Sequence, residues 1–141
     1  EEPVWTSSIQ NWKPSLNQGL VGSVLYASVP GEILQRIEEE TKHYFPGGKI
    51  ECVYQIWQPL SGVGVHNDGH KKFGATIYLN EEWDRNAGGW FIWEDEETRE
   101  YRAYLPVKNS MIVNDRFEYH QVTPVAAQYG ADRVTIQVWA D

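Results

Sequence analysis

His66-Asn67-Asp68 sets an imidazole and a carboxylate two residues apart. In an extended backbone, residues i and i+2 point to the same face, so His66 and Asp68 can meet at one point while Asn67 turns away. A third nitrogen ligand from elsewhere in the chain would complete the two-histidine, one-carboxylate set that suits non-haem Fe(II). That set is facial and leaves coordination positions open, enough for a bidentate keto acid and for O2. His-x-Asp is weak by itself, because it occurs by chance in many chains. The sequence has 4 histidines. His120 is the natural third ligand, since it follows the β-patterned run Ser110–Asp115 and precedes Val122 and Pro124. His43 lies near a predicted helix end and reads as a surface residue. His70 reads as a loop residue, with a fourth metal ligand and a substrate contact as the alternatives.

Arg133 opens a second line of chemistry. In Arg133-Val134-Thr135-Ile136-Gln137-Val138-Trp139 the alternation is clean. Arg133, Thr135 and Gln137 share one strand face, and Val134, Ile136 and Val138 share the other. An arginine in a strand of core quality is unfavourable without an anion. A carboxylate ligand gripped bidentately by the guanidinium would supply one. On the alternation alone, a salt bridge to Asp132 or a nearby Glu, or an exposed strand face, is the commoner explanation. Cys52 is the only cysteine. It sits in a β-patterned run, so a packed thiol is a better reading than a nucleophile, and no intrachain disulfide can form.

These residues need a scaffold to bring them together. A length of 141 residues suits one domain, residues 1–141, with room for a real core. Hydrophobic residues make up 41% of the chain, which argues against disorder. The net charge of −8 lacks the basic footprint of a general nucleic-acid binder, although a local basic groove stays open. No apolar run is long enough to span a membrane, and no basic-then-apolar N-terminal segment reads as a signal peptide. A lone cysteine fits a reducing compartment. Together these predict a cytoplasmic protein. The chain opens Glu-Glu-Pro without Met, so its natural start has been removed or lies outside this sequence.

Residues 1–20 read as an irregular arm, and Val21–Val29 as a strand. A helix is predicted from Pro30 to about Tyr44, with Ile33, Leu34, Ile37 and Thr41 at helical spacing and Pro46-Gly47-Gly48 ending it. Strands are then predicted over Lys49–Gln58, Phe73–Leu79, Gly89–Trp93, Arg99–Leu105, Ser110–Val113 and Ala131–Ala140. Separators rich in Gly, Asn and Pro lie at Pro59–Gly64, Asn80–Gly89, Pro106–Asn109 and Pro124–Gly130. One helix followed by short strands predicts a mainly β fold with a helical buttress, a sandwich or jelly roll. No helices recur between the strands, which argues against a parallel α/β fold.

Several pieces, in order, resemble the prolyl 4-hydroxylase branch of the 2-oxoglutarate/Fe(II) oxygenases, including the hypoxia-type prolyl hydroxylases. They are His66-Asn67-Asp68, the strand Ala75–Leu79 ending in Tyr78-Leu79-Asn80, and the turn Gly88-Gly89 before Trp90-Phe91. The run Leu105-Pro106 through Ile112-Val113 follows, then His120-Gln121-Val122-Thr123-Pro124-Val125, then Arg133 in a terminal strand. The resemblance covers roughly Ile50 to Asp141.

It implies a double-stranded β-helix of the jelly-roll, cupin-like kind, with a catalytic β core over about residues 50–141. It implies Fe(II) on His66, Asp68 and His120, and 2-oxoglutarate as cosubstrate with its far carboxylate on Arg133. Tyr78 would assist at that carboxylate, a sheet or core tyrosine being the alternative. Tyr54, Thr135 and Trp139 would line the pocket. The reaction implied is hydroxylation of a C–H bond by O2 with release of succinate and CO2, with ascorbate as an auxiliary. No side chain beyond the metal ligands need act as acid or base. The substrate implied is a peptidyl proline.

Three departures bear on the substrate, and two of them, Gln58 and Val63, lean toward a small metabolite or free amino acid. Gln58 stands where many of these hydroxylases carry Tyr. Val63 replaces an aromatic. Ala126–Asp132 lengthens the span from His120 to Arg133. A cupin-type metal protein that does not use 2-oxoglutarate is the rival reading, and it leaves Arg133 without a role. An inactive relative acting as a binding module is a second rival, which the complete set His66, Asp68 and His120 argues against. A nucleic-acid demethylase would usually carry a second Arg six positions after the anchor, where this chain has Trp139.

Overall fold

The structure is a computed structural model and describes residues 3–7, 19–47, 49–69, 71–115 and 118–141. His70 and most of the predicted 1–20 arm lie outside the described residues.

The strands are β1 (Thr6–Ser7), β2 (Leu20–Val21), β3 (Val24–Ser28), β4 (Ile50–Trp57), β5 (Gly62–His66) and β6 (Phe73–Tyr78). After them come β7 (Phe91–Glu94), β8 (Tyr101–Tyr104), β9 (Met111–Asn114), β10 (His120–Val122) and β11 (Arg133–Ala140). Helix α1 (Gly31–Thr41) joins β3 to β4. The strands form two antiparallel sheets, ordered β1-β3-β4-β11-β6-β9 and β2-β5-β10-β7-β8. Their inner faces pack through Val24 and Trp57 of the first sheet against Val63, Phe91 and Val122 of the second. This is a double-stranded β-helix, or jelly roll, with a helix on its outside. Among the described residues no helix is long and apolar enough to cross a membrane.

β11 is the spine of the first sheet. It pairs along its whole length with β4, from Arg133↔Trp57 to Ala140↔Ile50. On its other side it pairs with β6, from Thr135↔Tyr78 to Ala140↔Phe73. Its even-numbered residues Ile136, Val138 and Ala140 join Phe45, Ile50 and Ala75 in a core closed by Leu34 and Ile37 of α1. Fully burying such side chains contributes roughly 1.5–3 kcal/mol each. Pro30 precedes the helix as its N-cap. The helix ends at Thr41 rather than about Tyr44, where the Thr41 hydroxyl donates to the Ile37 carbonyl at 2.6 Å.

Tertiary pairing changed the element pattern around two glycine positions, and it also made strands of Thr6–Ser7 and His120–Val122. The expected strand Val21–Val29 is split at Gly22, where φ is +70°. A Cβ there would lie 2.6 Å from Ser61 Cα, so only glycine lets the chain pass from one sheet to the other. The glycine-rich stretch expected as a separator, Pro59–Gly64, instead contributes Gly62–His66 as a strand held by β2 and β10. Gly62 has Pro124 N and Val122 O within 2.8 Å of where its Cβ would be. Local glycine content reads as a turn, but here it marks two backbones in close approach.

Candidate active site

The metal-ligand candidates sit where two neighbouring strands meet. His66 ends β5 and pairs directly with His120, which begins β10. Their rings lie 4.4 Å apart at 63°. Just beyond β5, a turn in which Lys71 N donates to the Asp68 carbonyl at 2.7 Å brings the Asp68 side chain back to both rings. Asp68 Oδ1 is 3.9 Å from His66 Nε2, and Oδ2 is 3.6 Å from His120 Nε2. One ligand atom from each residue lies within 4.8 Å of the others.

The surroundings orient these donors. His66 Nδ1 donates to the Gly64 carbonyl at 2.7 Å, and His120 Nδ1 donates to the Glu118 carbonyl at 2.9 Å. With both Nδ1 protons engaged, each Nε2 presents a lone pair to the common point, as a metal ligand must. Asn114 also donates to the Glu118 carbonyl, at 3.2 Å, and bridges β9 to this corner. Phe91 stacks on the His120 ring at 5.0 Å and 22°. Burial, then the neighbouring His66, pushes the His120 pKa below the ordinary imidazole value, which favours the neutral, ligating form.

A cavity of about 300 Å³ opens beside these residues, between the sheets, and Arg133 lines it. Arg133 is 1% exposed. Its Nε donates to the Gly89 carbonyl at 3.0 Å, and Nη2 lies 3.5 Å from the Tyr78 hydroxyl. Its guanidinium carbon stands 5.4 Å from the Trp57 ring centre and 5.2 Å from that of Tyr78. Among the described residues no carboxylate comes within salt-bridge distance of it, so neither Asp132 nor a Glu fills that role. Burial lowers its pKa, and Tyr78 opposes the shift. Burial likewise raises the Tyr78 pKa, which keeps its hydroxyl a donor.

The Gly88-Gly89 turn builds this corner. Gly89 has φ +66°, and a Cβ on it would sit 3.0 Å from both Arg133 Cδ and Trp83 Cζ2. Gly88 has φ +69°, and its Cβ would lie 2.1 Å from the Pro124 carbonyl oxygen. Only glycine lets the carbonyl of residue 89 reach the arginine.

Thr135 is fully buried on β11 beside Tyr78, and its Oγ1 has no hydrogen-bond partner among the described residues. An orphan hydroxyl and an uncompensated guanidinium on one sheet face suit an anionic ligand. The His-His-Asp donor set suits Fe(II). The residues present therefore fit both an iron and a dicarboxylate oxoacid.

Trp139 lines the cavity. Tyr54 is a correction. It packs in the outer core and lies 6.2 Å from Trp5. The odd-numbered residues Gln55 and Trp57 turn inward on β4, so the alternation carries Tyr54 to the helix side. Trp57 is the wall residue that sequence reasoning missed. Its signal is its position opposite Arg133, visible only once the β4–β11 register is known.

Residues 52–141 match the family described as the 2OG-Fe(II) oxygenase superfamily. No curated protein sequence matches the chain significantly. Among solved structures, a Pseudomonas putida prolyl-4-hydroxylase superposes with a TM-score of 0.66 at 18% identity, over 86% of this chain and 72% of that one. A 2OG-Fe(II) oxygenase family oxidoreductase from Burkholderia pseudomallei gives 0.67 at 17% identity, over 85% and 68%. A Trichoplax adhaerens prolyl hydroxylase, solved in complex with a hypoxia inducible factor oxygen degradation domain peptide fragment, gives 0.66 at 17%, over 83% and 62%. At such identities the structural likeness is one of fold. The family match takes in most of the chain together with His66, Asp68, His120 and Arg133, so the chain belongs to the 2OG-Fe(II) oxygenase superfamily and is a 2-oxoglutarate-dependent dioxygenase.

Proposed function

We propose that His66, Asp68 and His120 hold the Fe(II), that Arg133, Tyr78 and Thr135 hold the far carboxylate of 2-oxoglutarate, and that the enzyme hydroxylates a prolyl residue in a peptide or protein. One observation carries the site assignment. A single cavity has three ligand residues converging within 4.8 Å and, on the opposing sheet, a buried arginine with no carboxylate partner among the described residues.

Bound there, iron and 2-oxoglutarate supply an oxidative decarboxylation that releases succinate and CO2 and delivers one oxygen atom of O2 to a C–H bond. The chain's own part is positioning. With Nε of Arg133 occupied by the Gly89 carbonyl, its terminal nitrogens are left for a carboxylate, a bidentate geometry that lysine cannot offer. The Tyr78 hydroxyl and Thr135 Oγ1 add neutral donors on the same face. Trp57, Val63, Phe91 and Val122 wall the cavity with apolar surface, which keeps water from the reacting centre. No side chain is needed as a proton donor or acceptor, and ascorbate would serve only to keep the iron reduced. The single cysteine supports a cytoplasmic, reducing location.

The prolyl assignment draws on the fold shared with two prolyl hydroxylases, one of them solved with a peptide. A small metabolite or free amino acid is the second reading. Val63 supports it, a small aliphatic residue on the cavity wall.

The test is mass spectrometry of a proline-containing peptide library after incubation with enzyme, Fe(II), 2-oxoglutarate and ascorbate. Addition of one oxygen localised to proline is the expected result. Succinate production driven by free amino acids, with every peptide unmodified, would sink the prolyl reading and leave the dioxygenase standing.

A further inference from the structure

The assigned ligands leave part of the cavity wall without a role. Gln55 on β4 lines the cavity and is 6% exposed, yet its carboxamide has no hydrogen-bond partner among the described residues. Gln55 pairs with Thr135 across the sheet. Two residues further along β11, Gln137 lines the same cavity opposite Thr76. The Thr76 hydroxyl donates to Gln137 Oε1 at 2.8 Å, which fixes how that amide is turned. Among the described residues Gln137 Nε2 is left with a long 3.4 Å contact to the Val138 carbonyl.

A carboxamide on a cavity wall with no protein partner among the described residues is free to bond a ligand, and a ligand that displaces water from it must replace that hydrogen bond. The cosubstrate does not supply it in the reading above, since Arg133, Tyr78, Thr135 and the metal take its charged ends. The remaining ligand is the substrate. Gln55 offers a donor and an acceptor side by side, and Gln137 adds a second donor. That array is complementary to another amide. A free ammonium or a free carboxylate would satisfy one half of Gln55 and oppose the other.

Resting on the proposed oxygenase site, we propose that Gln55 and the Thr76-oriented Gln137 are a substrate-binding pair that reads an uncharged amide. The substrate is then an amide-linked residue and not a free amino acid.

The test is calorimetric titration of protein loaded with Mn(II) and 2-oxoglutarate, which binds without turning over. The probes are an Ala-Pro-Ala tripeptide blocked by acetyl and methylamide ends, the same peptide with Ala in place of Pro, and free proline. The parent protein should bind the blocked peptides and prefer them to free proline. Gln55→Leu and Gln137→Leu should each weaken blocked-peptide binding by about tenfold, the order expected for a buried group losing its hydrogen bond. Affinity for 2-oxoglutarate, titrated separately, should stay within about twofold, as for a residue that does not touch it. Gln55→Glu keeps the shape, loses the donor and should behave like the leucine variant. It carries the test if Gln55→Leu loses its near-ultraviolet dichroism.

The proposal is overturned by three results: no saturable binding of blocked peptide to the parent, equal or better binding of free proline, or variants that lose 2-oxoglutarate affinity in step with peptide affinity. Gln55-dependent binding of the all-alanine peptide, with no proline hydroxylated in the library, would leave the amide-reading pair in place and remove the prolyl assignment.

Discussion

The two faces of β11 share one backbone and nearly one degree of burial, and they do opposite work. On the outer face Val138 is 0% exposed, on the inner face Arg133 is 1% exposed. The outer residues Ile136, Val138 and Ala140 join an apolar cluster with residues of β4, β6 and α1. That face is complete as it stands. The inner residues Arg133, Thr135 and Gln137 meet Gln55, Thr76 and Tyr78, and apart from the Thr76–Gln137 bond and the long Arg133–Tyr78 contact they leave polar groups open to the cavity. Among the described residues a guanidinium lacks an anion, a threonine hydroxyl lacks a partner, and a carboxamide faces the cavity. One face of the strand stabilises the fold. The other is a set of unmet hydrogen bonds that ligands complete, at some expense to the stability of the empty protein.

The sharpest break in this comparison lies across the cavity from β11. Asp68→Ala and His120→Ala should each abolish Fe(II)-dependent succinate formation in a coupled assay. A folded Asp68→Ala protein that binds iron normally and still makes succinate would remove Asp68 from the ligand set.

Next comes a pair of substitutions on β11 itself. Arg133→Ala should weaken 2-oxoglutarate binding at least tenfold, since losing one side of a buried charge contact is worth about 2–5 kcal/mol. Ile136→Ala should lower the unfolding free energy by about 2–5 kcal/mol while leaving 2-oxoglutarate affinity unchanged. Titration of 2-oxoglutarate and urea unfolding of both variants measure the two effects. If both properties fell together in both variants, the division of labour between the faces would be wrong.

Gly89→Ala should lie between them. The left-handed backbone alone costs roughly 1–2 kcal/mol for a residue with a Cβ. The added methyl also presses on Arg133 Cδ, so 2-oxoglutarate affinity should fall together with stability.

The smallest effect concerns Cys52, on the outer face. Burial, with Glu38 adding to it, pushes its thiol pKa up to about 12. The folded state therefore holds the proton over a range where the unfolded state has lost it. This contribution to stability is intact below the ordinary thiol pKa and fades as pH rises from there toward 12. At mildly alkaline pH a thiol reagent should label Cys52 only after denaturant is added. Cys52→Ala should flatten the alkaline limb of the stability profile.

Much of this molecule was legible in local sequence. The alternation of Arg133–Trp139 separates its two faces by the pleat alone, and the spacing of His66 and Asp68 is equally local. The helix and the longer strands announce themselves by period. Other features depended on partners distant in the chain. β5 is a strand because β2 and β10 hold its glycine-rich backbone, and β10 is too short to declare itself. Tyr54 and Trp57 are both aromatic and three residues apart, so they fall on opposite faces. The residue opposite Arg133 is set by the register of β4 on β11. Sequence by itself determined the chemical identity of the metal-ligand candidates and of the arginine, and the in–out pattern of each strand, because both follow from covalent structure and short-range geometry. Tertiary structure alone decided that His120 stands against His66, that Trp57 roofs Arg133, and that Gln55 faces the cavity. Those facts arise when two sheets close on each other, an event that no stretch of neighbouring residues encodes.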